Sequence, residues 1–318
     1  MGTEVRPGRR HAFITVASTT VLSAAFALAA VAAGGVAQAA TPAPQPDTPV
    51  VHTIGATAQA AARTFWTSSR MASATPPQGP VKANAATIGQ PSGPPPGTPT
   101  ATLFDGVPTV GALFWANGSG AHYCTASVVK SANADLILTA AHCVYGRAGY
   151  ASNVAFVPQY HDGQQPYGLW PVHTITVAAG WQQSFDQNLD FAFLSVTPPS
   201  GTNRPLQAVT GGLNLGIDSG YNHPVEVIGY NDTDNGPVEC ATNSSEFEAN
   251  QMIFYCHDYW NGTSGGPWIT GYHSNGKGTV IGVIGGYHQG GDYEWASNSA
   301  YFGQPTWELY RQAEQQQK

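Results

Sequence analysis

Short apolar segments recur at intervals of about ten residues from residue 104 onwards, and this spacing limits the possible folds more than any other feature. Gly, Asn, Asp and Pro separate the segments, and no helical period intervenes before residues 306–317. The sequence therefore predicts an all-β barrel or sandwich with a short C-terminal helix. The predicted strands are VGALFW (110–115), YCTASVV (123–129), LILTAAHCV (136–144), NVAFVP (153–158), VHTITVAA (172–179), DFAFLSV (190–196), PVEVIGY (224–230), MIFYC (252–256) and TVIGVIGG (279–286).

The N-terminus has the layout of a secretory signal peptide. Three arginines precede an apolar run at residues 12–36, which ends in the small-residue sequence Ala37-Gln38-Ala39. A membrane-spanning helix is the alternative, but no basic stop-transfer cluster follows the run. We predict a cleaved signal at residues 1–39, a secreted protein and no stable membrane insertion after cleavage.

Residues 40–103 are rich in Pro, Ala, Thr, Gln and Ser. Such a composition buries too little apolar surface to offset the entropy lost on ordering. We interpret this stretch as a pro-segment, which would make the protein a zymogen, or as a linker. A short amphipathic helix is predicted at about residues 57–70, where it would fold against a partner surface.

The charge distribution excludes one class of partner. Six of the 12 Lys and Arg residues but 17 of the 19 Asp and Glu residues follow residue 103, so this part carries a net charge near −11. A phosphate backbone would be repelled, and nucleic acid is not expected to bind. No cofactor or metal is expected either.

All four cysteines lie in the same part of the chain, and an exported protein with an even number is expected to form disulfides. Three pairings are possible, of which we favour Cys124–Cys143 and Cys240–Cys256 because they close short local loops. A zinc site is the alternative, but the C-x-x-C spacing it favours is missing.

Three residues able to carry chemistry stand in separate motifs. His142 ends an apolar strand in LTAAHC, where the neighbouring Cys143 would hold the imidazole in place for general-base work. Asp190 begins the apolar NLDFAFL, where a carboxylate needs a partner such as an imidazole N–H. Ser264 lies in GTSGGP, a tight turn in which the amides of Gly262 and Ser264 can bind an oxyanion. Alone, each could be a core histidine, a strand-start aspartate or an ordinary glycine turn.

Together, the three motifs resemble those of the chymotrypsin-fold serine proteases, in the order His142, Asp190, Ser264. VGALFW, HYCTASVV and FVPQYHDGQQPYGLW are more similar to the secreted bacterial branch, which includes the V8-like glutamyl endopeptidases and their actinobacterial trypsin-like relatives. The resemblance covers about residues 106–304 and implies a monomeric enzyme that acts on protein or peptide substrates.

The resemblance implies two antiparallel six-stranded β-barrels packed side by side. His142 and Asp190 would come from the first barrel and Ser264 from the second. It further implies that Ser264 attacks the peptide carbonyl, His142 moves the proton and Asp190 orients the imidazole. The expected protease domain spans residues 104–318, with barrels at about 104–205 and 206–304 and a helix at about 306–317.

Two positions depart from the family patterns. Thr263 stands where animal members have the aspartate that binds a newly freed N-terminus, so activation by that ion pair is not expected. Ile284 stands where V8-like enzymes have a histidine that helps bind a substrate glutamate. The tentative substrate pocket comprises Asp258, Ile284, Gly285, Gly286 and Tyr287, with Asp258 a candidate counter-charge for Lys or Arg.

Two other functions compete with a peptidase. The Gly-x-Ser-x-Gly spacing also fits the nucleophile elbow of a secreted esterase, but only His273 and His288 follow Ser264, and too little chain remains for that fold. A catalytically silent, protease-like binding module is the other alternative. It predicts a broken triad, whereas all three residues are present.

Overall fold

The computed structural model describes residues 45, 47–77 and 93–316, so the predicted signal peptide lies outside the described residues. The strands of the N-terminal half are β1 (Pro49–Thr53), β2 (Thr102–Leu103), β3 (Val110–Asn117), β4 (Gly120–Val129), β5 (Leu136–Thr139), β6 (Tyr145–Gly146), β7 (Gly149–Tyr150), β8 (Ser152–Pro158), β9 (Trp170–Ala178) and β10 (Ala192–Val196). Those of the C-terminal half are β11 (Asn214–Leu215), β12 (Pro224–Tyr230), β13 (Pro237–Glu248), β14 (Gln251–Tyr255), β15 (Pro267–His273), β16 (Lys277–Val283) and β17 (Ala296–Ala300).

Helices are few and short in the described chain. The helices are α1 (Ala56–Phe65), α2 (Ser68–Ala72), α3 (Ala179–Ser184), α4 (Leu206–Thr210) and α5 (Gln304–Gln315), and three 3-10 turns span Ala141–Cys143, Gln187–Leu189 and Tyr287–Gln289. In the described ranges, no helix combines the length and apolar character that crossing a bilayer requires.

Six strands of the N-terminal half form a closed antiparallel barrel. The order is β9-β10-β5-β4-β3-β8, and the pairing of β8 with β9 closes the ring. The strands are apolar on nearly every position rather than alternating; β5, for example, is buried throughout. A strand whose two faces are both buried has apolar residues at consecutive positions. The sequences of these strands are therefore short, uninterrupted apolar runs.

The C-terminal half builds a second sheet around six antiparallel strands in the order β16-β15-β12-β13-β14-β17. The short β11 lies parallel to β16 at one edge, and β2 pairs with β13. This arrangement confirms the predicted all-β, two-barrel chymotrypsin-like class with a C-terminal helix. Both predicted disulfides, Cys124–Cys143 and Cys240–Cys256, are also confirmed.

The strands β13, β15 and β17 were not predicted from the sequence. β13 carries mostly polar residues in PVECATNSSEFE, and only part of one face is buried. β17 is the small, polar ASNSA, yet all five residues are buried. Their hydrogen-bonded neighbours supply the apolar surface, so hydrophobic periodicity gives no signal for them.

The Pro- and Ala-rich segment contains ordered structure that its composition did not suggest. β1 pairs with β9 in five consecutive positions, from Pro49 opposite Ala178 to Thr53 opposite Thr174. Helices α1 and α2 fall where a helix was predicted. Trp66 and Met71 are 5% and 3% exposed, and the Trp66 indole donates to the Asn153 carbonyl. The N-terminal barrel is the partner surface against which this segment folds.

A partly buried pair of glutamates in the second sheet makes stability depend on pH. Glu226 on β12 and Glu239 on β13 lie diagonally across adjacent strands, since Ile228 opposes Glu239. Burial, together with the Glu239 charge, raises the pKa of Glu226 from 4.5 to about 7. The folded state therefore retains a proton that the unfolded chain releases. The stabilisation is complete below about pH 4.5 and is lost as the pH rises to 7.

Glu226→Gln stays neutral at every pH and should therefore stabilise the protein in alkaline conditions. We expect a gain of about 1 kcal/mol at pH 8, because Glu226 is half exposed and solvent screens part of the effect. Thermal unfolding should show a Tm higher by about 2–4 °C at pH 8 and no gain at pH 4. The exposed Glu308→Gln is the matched control; an equal gain in both variants would contradict this origin.

Candidate active site

His142 lies in the 3-10 turn that follows β5, where the apolar run of that strand ends. The adjacent Cys143 is bonded to Cys124 on β4, so a covalent link fixes the turn to the barrel wall. The His142 side chain is only 5% exposed. The imidazole is thus held by the backbone turn, the disulfide and the surrounding core.

Asp190 is completely buried, and every contact of its carboxylate is with a donor. Oδ1 accepts from the His142 backbone amide at 2.9 Å, and Oδ2 lies 2.8 Å from His142 Nδ1. Oδ2 also accepts from the Gly286 amide at 2.9 Å. A buried carboxylate is costly unless it is paired and hydrogen-bonded. The imidazole partner of Asp190 was predicted from the sequence. The two backbone N–H donors, which were not predicted, offset the rest of the free-energy cost of burying the carboxylate.

The turn that carries Ser264 needs glycine on both sides. Gly262 and Gly265 have φ values of 94° and 81°, in the region that residues with a Cβ rarely adopt. A Cβ on Gly262 would collide with the Tyr230 carbonyl and the Tyr123 ring, and one on Gly265 with the Thr125 carbonyl. The close approach of the two barrels therefore accounts for both glycines.

Thr125 on β4 joins the first barrel to the Ser264 turn. Its amide donates to the Ser264 carbonyl at 2.7 Å, and its hydroxyl donates to the Gly262 carbonyl at 3.0 Å. The same hydroxyl oxygen accepts from the Tyr230 amide at 2.9 Å. Thr125 is fully buried. The disulfide of the neighbouring Cys124 thus places both the His142 turn and the Ser264 turn against the same stretch of β4.

The amides predicted to form an oxyanion hole have no partner within the described chain. Neither Gly262 N–H nor Ser264 N–H donates a hydrogen bond to a described residue. The adjacent amides are used in the turn itself: Gly265 donates to the Ile284 carbonyl and Gly266 to the Thr263 carbonyl. Both amides are therefore available to an acceptor from outside the described chain, as an oxyanion hole requires.

Thr263 has a local role in this turn. Its side chain is 1% exposed, and its hydroxyl donates to the Trp260 carbonyl at 2.7 Å. The Thr263 Cβ occupies the space that a side chain at position 229 would need, and residue 229 is glycine. A neutral hydroxyl with a backbone partner thus occupies the position before Ser264.

The candidate pocket residues lie in three different environments. Gly285 and Gly286 lie beside Asp190 at the end of β16, and Tyr287 stacks on His288 with ring centroids 3.9 Å apart. In contrast, Ile284 is 1% exposed and packs within the core of the second barrel. The Asp258 side chain is exposed.

The backbone around Asp258 is held by other residues. Its amide donates to Glu294 Oε2 at 2.8 Å, and its carbonyl accepts from the Asn231 side chain. The neighbouring His257 also faces Glu294, with Nδ1 3.2 Å from Oε1. His288 pairs with Asp292 at 2.8 Å. The two loop histidines therefore have carboxylate partners.

Gln251 is a positioning residue that sequence reasoning missed. It is 1% exposed, and its amide group donates to the Gln187 carbonyl and to Asn188 Oδ1. Its Oε1 accepts from the Tyr287 amide at 2.9 Å. The residue thus ties the loop before Asp190 to the backbone after Gly286. Nothing in the local sequence distinguishes Gln251 from an ordinary strand-start residue.

Among the described residues, one group of three potential metal ligands is close enough to share an ion: Cys124, His142 and Cys143. Both sulfurs are consumed by the disulfide. A thiolate is the form of cysteine that binds metal, so this cluster is not a metal site.

The fold and this arrangement define the class of chymotrypsin-like peptidases. The sequence matches the trypsin-like peptidase domain over residues 124–283, which is half of the chain, and the chain belongs to that family. The protein is therefore a peptidase. A comparison with curated protein sequences gives no significant match.

Solved structures show the same fold. The protease Anisep from Arthrobacter nicotinovorans is 24% identical, with a TM-score of 0.61 over 68% of this chain and 100% of its own. The thermostable serine protease AL20 from an extremophilic microorganism is 24% identical, with a TM-score of 0.59 over 66% and 98%. A Glu endopeptidase is 18% identical, with a TM-score of 0.54 over 69% and 99%.

Proposed function

We propose that the protein is a secreted serine endopeptidase that cleaves peptide bonds through a Ser264–His142–Asp190 triad and an acyl-enzyme. The observation that carries this proposal is the hydrogen bond between the buried Asp190 carboxylate and His142 Nδ1. Strand β4, which is linked to the His142 turn by a disulfide, also binds the Ser264 turn. Ser264 Oγ attacks the carbonyl carbon of the scissile bond, and Gly262 and Ser264 amides bind the resulting oxyanion.

The hydrogen bond from His142 Nδ1–H to Asp190 fixes the imidazole tautomer. Nε2 is then the unprotonated nitrogen, which can take the proton of Ser264 as the C–O bond forms. The same proton passes to the leaving amine when the C–N bond breaks. Water then attacks the acyl-enzyme with His142 again as the base, which releases the acid product and restores Ser264.

The proposal also covers the branch of the family to which the chain belongs and the removal of its N-terminal segments. We assign the chain to the secreted branch that contains the V8-like endopeptidases, with a signal at residues 1–39, a pro-segment at 40–103 and the protease domain at 104–318. Two disulfides suit an exported protein.

A specific contact supports an inhibitory role for the pro-segment. Thr75 lies parallel to His122 at the free edge of β4; its amide donates to the Ala121 carbonyl and its carbonyl accepts from the Tyr123 amide. Thr125, two residues further along this strand, binds the Ser264 turn. Because peptides bind proteases by pairing with exposed strand edges, Thr75 occupies backbone groups that a substrate would use. Release of the segment then uncovers the cleft.

Labelling with a biotinylated fluorophosphonate tests the nucleophile. We expect one adduct on the secreted enzyme, located by mass spectrometry in the peptide containing Ser264, with parallel loss of peptide hydrolysis. Heat-denatured enzyme is the control, because activation of the serine needs the folded site. An unlabelled Ser264 in enzyme that is folded and processed would favour the silent binding module.

A further inference from the structure

A cavity of about 420 Å³ lies next to the Ser264 turn and is separate from the triad residues. Its aromatic wall consists of Phe114, Tyr123, Tyr160 and Tyr230. Its polar side consists of Asp162, Asn231, Asp232, Asp234 and Asn235, and the N-terminal segment contributes Met71, Ala72 and Ala74 to the lining. The pro-segment contact described above therefore covers the same region as this cavity.

Tyr123 connects the cavity to the reaction centre. Its ring lines the cavity and also packs directly against Gly262, as the collision of a Cβ at Gly262 shows. Gly285 and Gly286, the tentative walls for the acyl side of the substrate, lie beside Asp190 instead. A substrate that places its acyl side along these glycines directs its leaving side towards Tyr123 and the free edge of β4.

Three carboxylates give the cavity a negative charge. Asp162, Asp232 and Asp234 all line it, and no Lys, Arg or His shares the lining. Burial, followed by the charges of Asp232 and Asp234, raises the pKa of the Tyr123 hydroxyl, so these carboxylates act on the aromatic wall. Asp234 accepts hydrogen bonds from Asn231 and Thr233, which fixes its position in the loop.

The carboxylates do not form a metal site. Among the described residues, the one cluster of three donors near enough to hold an ion is the group around Cys124, elsewhere in the site. Carboxylates that line one cavity without converging suit an extended organic cation better than a compact ion, since calcium needs several oxygens within one coordination sphere.

The aromatic wall adds a second feature that favours a cation. Tyr230 is 4% exposed, and its buried hydroxyl makes no hydrogen bond among the described residues, although the Tyr160 backbone lies near enough to act on it electrostatically. The hydroxyl oxygen has almost no accessible surface, so Tyr230 contributes its ring and not its oxygen to an ammonium or guanidinium group in the cavity. Aromatic faces also attract such cations, and their rings pack the aliphatic stem of Lys or Arg.

We propose that this cavity is a specificity subsite for a Lys or Arg side chain within the first two residues after the scissile bond. The proposal rests on the serine-peptidase function proposed above. The aliphatic stem lies between Tyr123 and Tyr160, and the charged group faces Asp162 and Asp232. The enzyme thereby selects the leaving segment of the substrate by charge, in a region that opens when residues 71–74 withdraw.

The test measures cleavage preference on the leaving side of the bond. Enzyme secreted from the full-length chain digests a peptide library, and the residues on both sides of each cut are read by mass spectrometry. Two quenched fluorogenic peptides then present the preferred acyl side followed by either Lys or its uncharged isostere norleucine at the enriched position. We expect kcat/KM to favour the Lys peptide about tenfold, and the ratio to fall in 1 M NaCl.

Variants assign this preference to the cavity. Asp162→Asn combined with Asp232→Asn should reduce the Lys-to-norleucine ratio to about one; asparagine tolerates the positive φ of 48° at position 162. Asp162→Asn alone removes one of the two facing carboxylates and should lower the ratio about two- to threefold, which provides a second test if the double variant does not fold. Glu308→Gln, which removes a single carboxylate from the exposed face of α5, is the control at a distant position and should retain the wild-type ratio.

The outcomes separate the two proposals. A wild-type ratio near one, or a ratio that both cavity variants leave unchanged, overturns the subsite while Ser264 labelling and peptide hydrolysis remain intact. A different result would contradict the peptidase proposal: folded enzyme would cleave no library peptide and would not be labelled at Ser264.

Discussion

Ser264→Ala is expected to lower kcat for peptide hydrolysis by about 10⁴- to 10⁶-fold, because no other group can form the acyl-enzyme. Folding should be unaffected, since the Ser264 backbone carbonyl makes the contact with Thr125 and the side chain is not needed for it. The measurement is single-turnover and steady-state cleavage of a quenched peptide, together with thermal unfolding and disulfide mapping of the secreted protein.

The matched control for this variant is Ser184→Ala. That hydroxyl donates to the Gly180 carbonyl within α3 and lies outside the site. It should retain wild-type kcat and should remain labelled by the fluorophosphonate at Ser264. Hydrolysis at a wild-type rate in Ser264→Ala would exclude Ser264 as the nucleophile, even if the fold is intact.

Asp190→Asn is expected to lower kcat by about 10³- to 10⁴-fold, with a much smaller change in KM. An asparagine oxygen that still accepts from the His142 amide turns its NH₂ towards His142 Nδ1 and Gly286 N–H. The imidazole then accepts at Nδ1 and carries its proton on Nε2, where it can no longer take the proton of Ser264. The uncompensated Gly286 N–H should also cost about 1–3 kcal/mol of stability.

Two readouts distinguish this effect from simple unfolding. The variant should unfold cooperatively at a lower Tm but remain fully folded at the assay temperature. Unfolding then cannot explain the loss in kcat. Asp186→Asn is the control in the same loop: its Oδ1 accepts only from the Asn188 amide, which an asparagine can preserve. Equal losses in both variants would show that loop structure, not the imidazole tautomer, sets the rate.

The strands of the first barrel could be predicted because their apolar runs are dense and bounded by turn residues. Helix α5 and the disulfides were equally visible from local sequence. β13 and β17 could not be predicted, because their polar residues are placed in the sheet by neighbouring strands. β1 was missed for a related reason: its burial depends on pairing with β9, which lies more than 100 residues later.

The sequence by itself determined the candidate chemistry of the site. His142, Asp190 and Ser264 stand in motifs whose side chains and glycines have few other combined uses, and their order indicated the class. Only the tertiary structure showed that Thr125 of the first barrel and Gln251 of the second hold together loops that are distant in sequence. The acidic cavity beside Gly262 was equally invisible from sequence.

The physical reason is that a motif records local geometry, whereas a cavity or a buried hydrogen bond depends on which distant residues meet. Asp162 and Asp232 lie 70 residues apart and carry no common pattern. They face one cavity because the Asp162 amide donates to the Asn235 carbonyl and the Tyr123 hydroxyl to the Asn231 carbonyl, which holds the two loops together.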